Sequence, residues 1–400
     1  MDSSRKPRCV FYSHDTMGFG HIRRNMLLCQ AVTAACPEAE ILLISGVREA
    51  GVFTLPPGAD SLILPSWHKT PEGKYQPRAL GKKIKPLVWL RAQIIYAAIN
   101  AFSPDLMVVD NVPRGAMREL DLSLPLLAAK KTHLVLGLRD ILDDPEAVKQ
   151  QWHKQENSAA LREFYSDIWV YGDRRLYDLR KEYNLEAAIK NKVTFTGYLD
   201  AARRISHPDE AALVPAQPYA LCVVGGGQDG FRLAEAFVKA ALPAGLRGLL
   251  VTGSMMPEAQ RQQLKQLAVA FPEKNVLEFV AEPLTLLRHA SCVVAMGGYN
   301  TLMEILACNK PALIVPRVEP REEQWIRAAR LAELGLTDVL HPASLTPERL
   351  SGWLAQPHRF IDPREKLSFN GLEQVAVSVR QIFNRAAARE SASCRQNHRA

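Results

Sequence analysis

Along almost the whole chain, short apolar runs alternate with longer stretches whose apolar residues recur every three or four positions. In the first half the runs are Cys9–Ser13, Ile41–Ser45, Ser61–Leu64, Leu106–Asp110, His133–Leu138, Ile168–Tyr171 and Val193–Thr196. In the second half they are Ala220–Val224, Leu249–Thr252, Leu277–Val280, Cys292–Ala295 and Ala312–Val315. Runs this short and this continuously apolar are strands buried on both faces, and their alternation with helical patterns predicts parallel sheets covered by helices. Helical patterns fall at His21–Ala34, Ile84–Ala101, Pro145–Phe164 and Gly371–Ala387. The third has a clear start, with Asp144 as cap and Pro145 and Glu146 in the first turn.

The alternation stops after Gly197-Tyr198. There LDAARRISHPDEAALVPAQPYA is polar and broken by prolines, and beyond it the pattern restarts. The expected division is a first domain over 1–200, a linker over 201–217, a second domain over 218–370, a terminal helix over 371–388 and a disordered basic tail over 389–400. A chain of 400 residues at 47% hydrophobic is large for one core, which agrees with two domains. The fold class expected is α/β, with two doubly wound Rossmann-like domains facing across a cleft at the carboxyl ends of both sheets.

A net charge of +8 favours anionic partners: sugar nucleotides, acidic lipid surfaces or nucleic acid. Basic and aromatic residues are not interleaved on any stripe, so nucleic acid is not expected. The seven cysteines are scattered, odd in number and without a C-x-x-C pair, which points to a reducing compartment without structural zinc. The N-terminus lacks an apolar leader and no run of 18 apolar residues occurs, so the expected location is cytoplasmic, at most peripheral to the inner face of a membrane.

The densest chemistry lies between Cys292 and Leu334, CVVAMGGYNTLMEILACNKPALIVPRVEPREEQWIRAARLAEL. A strand runs into Gly297 and Gly298 and a helix follows at once, leaving unpaired N–H groups where an anion can dock. Glu304, further along that helix, is a carboxylate that can take a ribose diol, and Gln324 offers an amide beyond the phosphates. Thr301-x-x-Glu304 also reads as a capping box, and the glycine pair as a tight turn. A second glycine loop, Gly225, Gly226 and Gly227, ends the first strand of the second domain and reads either as a phosphate or sugar contact or as a flexible strand end. It does not fit the dinucleotide fingerprint of an oxidoreductase.

These motifs resemble the GT-B glycosyltransferases, and within them glycosyltransferase family 28, which includes the enzyme that adds N-acetylglucosamine to the peptidoglycan lipid intermediate and the plant galactolipid synthases. The likeness is strongest over VLEFVAEPLTLLRHASCVVAMGGYNTLMEILACNKPALIVP. It implies that main chain near Phe279, Val280 and Ala281 holds the base, Glu304 the ribose, and Gly297, Gly298, Asn300 and Thr301 the diphosphate. Glu323 and Gln324 would face the sugar. In the first domain, YSHDTMGFGHIRRNMLLCQAV carries the likeness: a strand end, a loop with His14, Asp15, Gly18 and Gly20, then His21 opening a helix. The resemblance makes His21 the candidate general base, with Asp110 orienting it. An imidazole with an ordinary pKa of about 6.5 suits that task, and a helix start disfavours its charged form. His21 reads alternatively as a helix cap or a binding residue.

The pattern departs from the peptidoglycan enzyme just after the histidine: that enzyme has a proline three residues on, whereas here Arg23 and Arg24 follow. They read as binders of an acceptor phosphate or carboxylate, or as surface charge. Lys82, Lys83 and Lys85 precede PLVWLRAQIIYAAI, which contains Arg91 and reads as a membrane-surface helix or as a core helix with a charged start. The acids Asp140, Asp143, Asp144 and Glu146 invite a metal reading, but capping accounts for part of them and the resemblance implies no metal and no cofactor. The function expected is an inverting hexosyltransferase using a UDP-sugar and a small-molecule or lipid hydroxyl acceptor. The rivals are a nucleotide-sugar hydrolase, a 2-epimerase, and a non-catalytic nucleotide-sugar-binding protein.

Overall fold

The computed structural model describes residues 5–14, 20–47, 54–69, 75–204, 212–280, 282–358 and 361–397, without the side chains from 390 onward. The first sheet is built from β1 (Arg8–Ser13), β2 (Glu40–Ser45), β3 (Ala59–Ile63), β6 (Leu106–Asp110), β7 (His133–Arg139), β8 (Asp167–Tyr171) and β9 (Val193–Phe195). Between β3 and β6 a separate antiparallel hairpin pairs β4 (Trp67–Lys69) with β5 (Tyr75–Pro77). The second sheet holds β10 (Tyr219–Val223), β11 (Arg247–Val251), β12 (Lys274–Leu277), β13 (Cys292–Ala295), β14 (Ala312–Ile314) and β15 (Asp338–Val339). Strand orders are β3-β2-β1-β6-β7-β8-β9 and β12-β11-β10-β13-β14-β15, and neighbours in both sheets are parallel. The order reverses between β1 and β6 in one domain and between β10 and β13 in the other, which places the crevices of a doubly wound fold beside those strands.

Continuous apolar strands need helices on both faces, and each sheet has them. On the outer faces, Val10, Val109 and Leu136 pack in one core and Ala220, Cys222 and Val294 in another. The remaining faces share a single core running through both domains by way of Tyr198, Leu199 and the C-terminal helix Gly371–Asn397. That helix returns to the first domain, where Arg380 Nε donates to Ala35 O at the end of the first helix, Gly20–Ala35. It continues to Asn397, into the stretch expected to be a tail, following on from Ala386–Ala388, which are strong helix formers.

Two further expectations need correction. The helix expected over Pro145–Phe164 is two, Pro145–Lys154 and Asn157–Glu163, broken at Glu156 in the left-handed region with φ 54°. Its start is as expected, with the Asp144 carboxylate accepting from the N–H groups of Glu146 and Ala147. The strand expected at Leu277–Val280 runs instead over Lys274–Leu277, which leaves Phe279 and Val280 in the loop beyond it. The expected linker is described only at its two ends, and its first part is anchored by the buried Arg204.

Candidate functional site

The cleft between the two sheets holds a cavity of about 330 Å³ whose walls come from both domains. On the second-domain side, the loops after β10, β11 and β13 converge. Gly227 has φ 92°, and a Cβ there would lie 2.1 Å from Thr252 O, so only glycine lets these two loops meet backbone to backbone. Gly297 serves close approach: a Cβ would come within 2.8 Å of Gln324 O, at the start of the helix Glu323–Glu333. Gly225 and Gly298, by contrast, have open space where a side chain would stand. Gly298 caps the helix Tyr299–Ala307, with Asn300 and Thr301 in its first turn against the cavity. Phe279, Val280, Pro283 and Leu287 make one end of the cavity apolar.

The first-domain wall is built of charged side chains. His21, in the first turn of its helix, places Nδ1 2.8 Å from Asp110 Oδ2 at the carboxyl end of β6. Arg24, one turn on and buried, donates to both oxygens of Asp110 at 2.6 Å, and its Nη2 lies 3.0 Å from His21 Nδ1. Burial works against ionisation of Asp110, but Arg24 and then His21 outweigh it and hold the carboxyl well below the usual carboxylate range. An ionised Asp110 is acceptor-only, so the ring proton sits on Nδ1 and Nε2 is left to accept. The His14 ring stands 5.2 Å from that of His21.

Several contacts join the two walls. A Cβ on Gly20 would lie 2.1 Å from Asn300 Nδ2, so the missing side chain lets the starts of the two helices meet. Tyr299 OH donates to Tyr171 O at 2.6 Å, and the Arg24 guanidinium lies 5.7 Å from the Tyr299 ring. Arg327, fully buried, donates to Asp140 at 2.9 Å and to Gly297 O at 3.2 Å. Tyr198 OH also donates to Asp140, and Asp143 accepts from Glu322 N–H. Of the acids that invite a metal reading, Asp140 and Asp143 are therefore engaged in holding the domains and Asp144 in a helix cap, while the exposed Glu146 pairs with Lys149 on its own helix.

Of the expected residues, His21, Gly20, Arg23, Arg24, Gly225, Gly226, Gly227, Phe279, Val280, Gly298, Asn300, Thr301, Glu304 and Gln324 line the cavity together. Asp110 stands behind His21, and Gly297 packs against Gln324. Asp15, Gly18 and Ala281 lie outside the described residues. The capping-box reading fails, because the cap is Gly298 and Thr301 is already inside the helix, too late to cap it. Glu304 is 2% exposed and its Oε1 accepts from Arg204 at 2.6 Å, so one oxygen of the expected ribose ligand is already held. Glu323 does not line the cavity: Arg317 takes its Oε1 at 2.7 Å. Arg24 is committed to Asp110 rather than offered to an acceptor. Arg91 is buried on Glu119 beneath Trp67, not on a membrane-facing surface. The pattern missed Arg139 at the end of β7, Arg317, and the loop Gly253–Met255, all on the cavity wall. A rule that inspects the residue after every strand would have found the first and third.

Residues 220–361 match the model of the glycosyltransferase family 28 C-terminal domain. The chain is 31% identical over 158 residues (38% of this chain, 41% of the relative) to UDP-N-acetylglucosamine–N-acetylmuramyl-(pentapeptide) pyrophosphoryl-undecaprenol N-acetylglucosamine transferase of Rhizobium etli. It is 24% identical over 255 residues (60% and 62%) to an uncharacterised glycosyltransferase of Methanosarcina mazei. The chain thus spans 41% and 62% of the length of these relatives. In overall fold it matches TcCGT1 in complex with UDP at TM-score 0.62, with 12% identity over 96% of this chain and 99% of that one. It also matches the UDP-GlcNAc 2-epimerase of Methanocaldococcus jannaschii at TM-score 0.60, with 11% identity over 94% and 100%. Residues 220–361 thus resemble the C-terminal domain of glycosyltransferase family 28, and the chain that carries them has the GT-B fold.

Proposed function

We propose that the protein is an inverting glycosyltransferase that moves a hexose or N-acetylhexosamine from a UDP-sugar to a hydroxyl acceptor. The observation that carries this reading is the pair His21–Asp110 standing across one cavity from the Gly298-capped helix. The apolar end at Phe279 and Val280 suits a base, Glu304 the ribose, and the open positions at Gly225 and Gly298 the diphosphate. Gln324 is left for the sugar, its orientation fixed by the Arg317 N–H that its Oε1 accepts at 3.1 Å.

His21 Nε2 takes the acceptor's hydroxyl proton as the acceptor oxygen bonds to the anomeric carbon. The bond from that carbon to the β-phosphate oxygen breaks on the opposite face, which inverts the centre. The charge that gathers on the diphosphate meets the first N–H groups of the helix Tyr299–Ala307 and the glycine loop after β10. Preorganised donors of this kind contribute on the order of 3 kcal/mol each. Asp110 steadies the imidazolium that forms, and no cofactor is required because the sugar nucleotide is itself a substrate.

The acceptor reading is extended by the helix Ile84–Phe102. Leu80, Trp89 and Leu90 are exposed at 56%, 63% and 42% beside Lys82, Lys83 and Lys85. Exposed apolar side chains flanked by lysines suit a peripheral contact with an anionic membrane, and hence a lipid acceptor. Among the described residues no helix is long and apolar enough to cross a membrane. The reading is tested by product analysis of UDP-sugars incubated with the protein, with and without lipid and small-molecule alcohols. Transfer to an alcohol with inverted configuration is expected. A C2-epimerised sugar nucleotide, or free sugar alone under every condition, contradicts transfer.

A further inference from the structure

Arg139 is the last residue of β7, and it reaches the cavity beside His21, Arg24 and Gln324. The neighbouring arginines are matched: Arg24 by Asp110, Arg327 by Asp140, and Arg317 by Glu323 and Asp229. Arg139 has no hydrogen bond or ion pair among the described residues, and its Nε is sealed from solvent. A guanidinium does not shed its proton at ordinary pH, so one that is half-buried and unmatched carries a penalty that an arriving anion relieves. Burial first, and then repulsion from Arg327, pushes the group down to about 10. Glu323 and Asp110 act on it at a distance only, because each is already held by another cation.

Its electrostatic neighbours locate the missing anion. Arg327 and Glu323 come from the helix that also presents Gln324, and Arg24 and Asp110 come from the His21 cluster. Arg139 therefore lines the same cavity as Gln324, the amide assigned to the sugar, and His21, the candidate base. A neutral hydroxyl there leaves the charge unmatched, whereas a planar guanidinium fork takes two oxygens of a phosphate or carboxylate.

We propose that Arg139 binds an anionic oxygen of the donor at the centre of the cleft, either a β-phosphoryl oxygen or the carboxylate of an acidic transferred sugar. The assignment rests on the nucleotide-sugar reading. Calorimetric titration of UMP, UDP, UDP-glucose and UDP-glucuronate into wild type, Arg139→Ala and Arg139→Lys tests it, with thermal unfolding as a check that both variants fold. UMP affinity is expected to stay the same. If the oxygen is β-phosphoryl, UDP and both UDP-sugars bind Arg139→Ala about tenfold or more weakly. If it is a sugar carboxylate, wild type prefers UDP-glucuronate to UDP-glucose and the variant loses only that preference. Arg139→Lys, which keeps charge but not the fork, recovers part of the loss in either case. Affinities that agree within about twofold for all four ligands overturn the assignment. A wild type that binds neither UMP nor UDP overturns the donor reading itself, and this assignment with it.

Discussion

The two walls of the cleft do their work with different parts of the chain. The second-domain wall is mostly backbone: glycines that clear space, a helix start without a side-chain cap, and a loop of main chain beside Phe279. The first-domain wall is side chains: His21, Asp110, Arg24 and Arg139, whose meaning lies in how their charges are matched. A backbone wall depends on strand–glycine–helix order, which stays local in sequence, and the family match covers that wall alone. A side-chain wall is assembled from β6, β7 and the first helix, far apart in sequence, and can change its partner without changing the fold.

Four substitutions probe this contrast. The largest expected effect is on what holds the walls together. Arg327→Ala leaves Asp140 buried without its cation and should cost about 3–5 kcal/mol in denaturant-induced unfolding. A loss under about 1 kcal/mol would mean the domains do not depend on that pair. On the side-chain wall, His21→Ala should lower turnover about 100-fold or more with little change in UDP affinity, read from kcat and direct binding. Unchanged turnover would reassign His21 to binding or capping. On the backbone wall, Gly298→Leu fills open space at a φ of −62° that any residue adopts. It should weaken UDP binding about tenfold or more while leaving the melting temperature in place. The smallest effect is a pH signature. Asp110 has a folded pKa below its unfolded one, so its contribution to stability is present at neutral pH and is lost as pH falls through the acid range. The stability gap between wild type and Asp110→Asn should therefore be widest near neutrality and narrow progressively below pH of about 4. A gap that stays constant down to strong acid would contradict the match between Asp110 and its partners Arg24 and His21.

The same contrast explains what was legible in the sequence. Strands such as Leu106–Asp110 and Cys292–Ala295 announce themselves because they are apolar on both faces. β15 does not, having only Asp338 and Val339, and neither does the hairpin Trp67–Lys69 with Tyr75–Pro77, whose charged and proline residues carry no alternation. The glycine loops could be read because glycine marks backbone need directly. What Glu304 and Arg24 bind to could not be read, since their partners Arg204 and Asp110 lie 100 and 86 residues away. Arg139 was hidden for a deeper reason: its significance is the lack of a partner, which only the assembled cleft reveals.

The central claim is that this cleft is a nucleotide-sugar site with its base on the opposite wall. Calorimetric titration of UDP into wild type, His21→Ala and Gly298→Leu tests it most directly. The account predicts equal binding to wild type and His21→Ala, and binding weakened about tenfold or more in Gly298→Leu. Absence of UDP binding to wild type, or equally tight binding to Gly298→Leu, would contradict it.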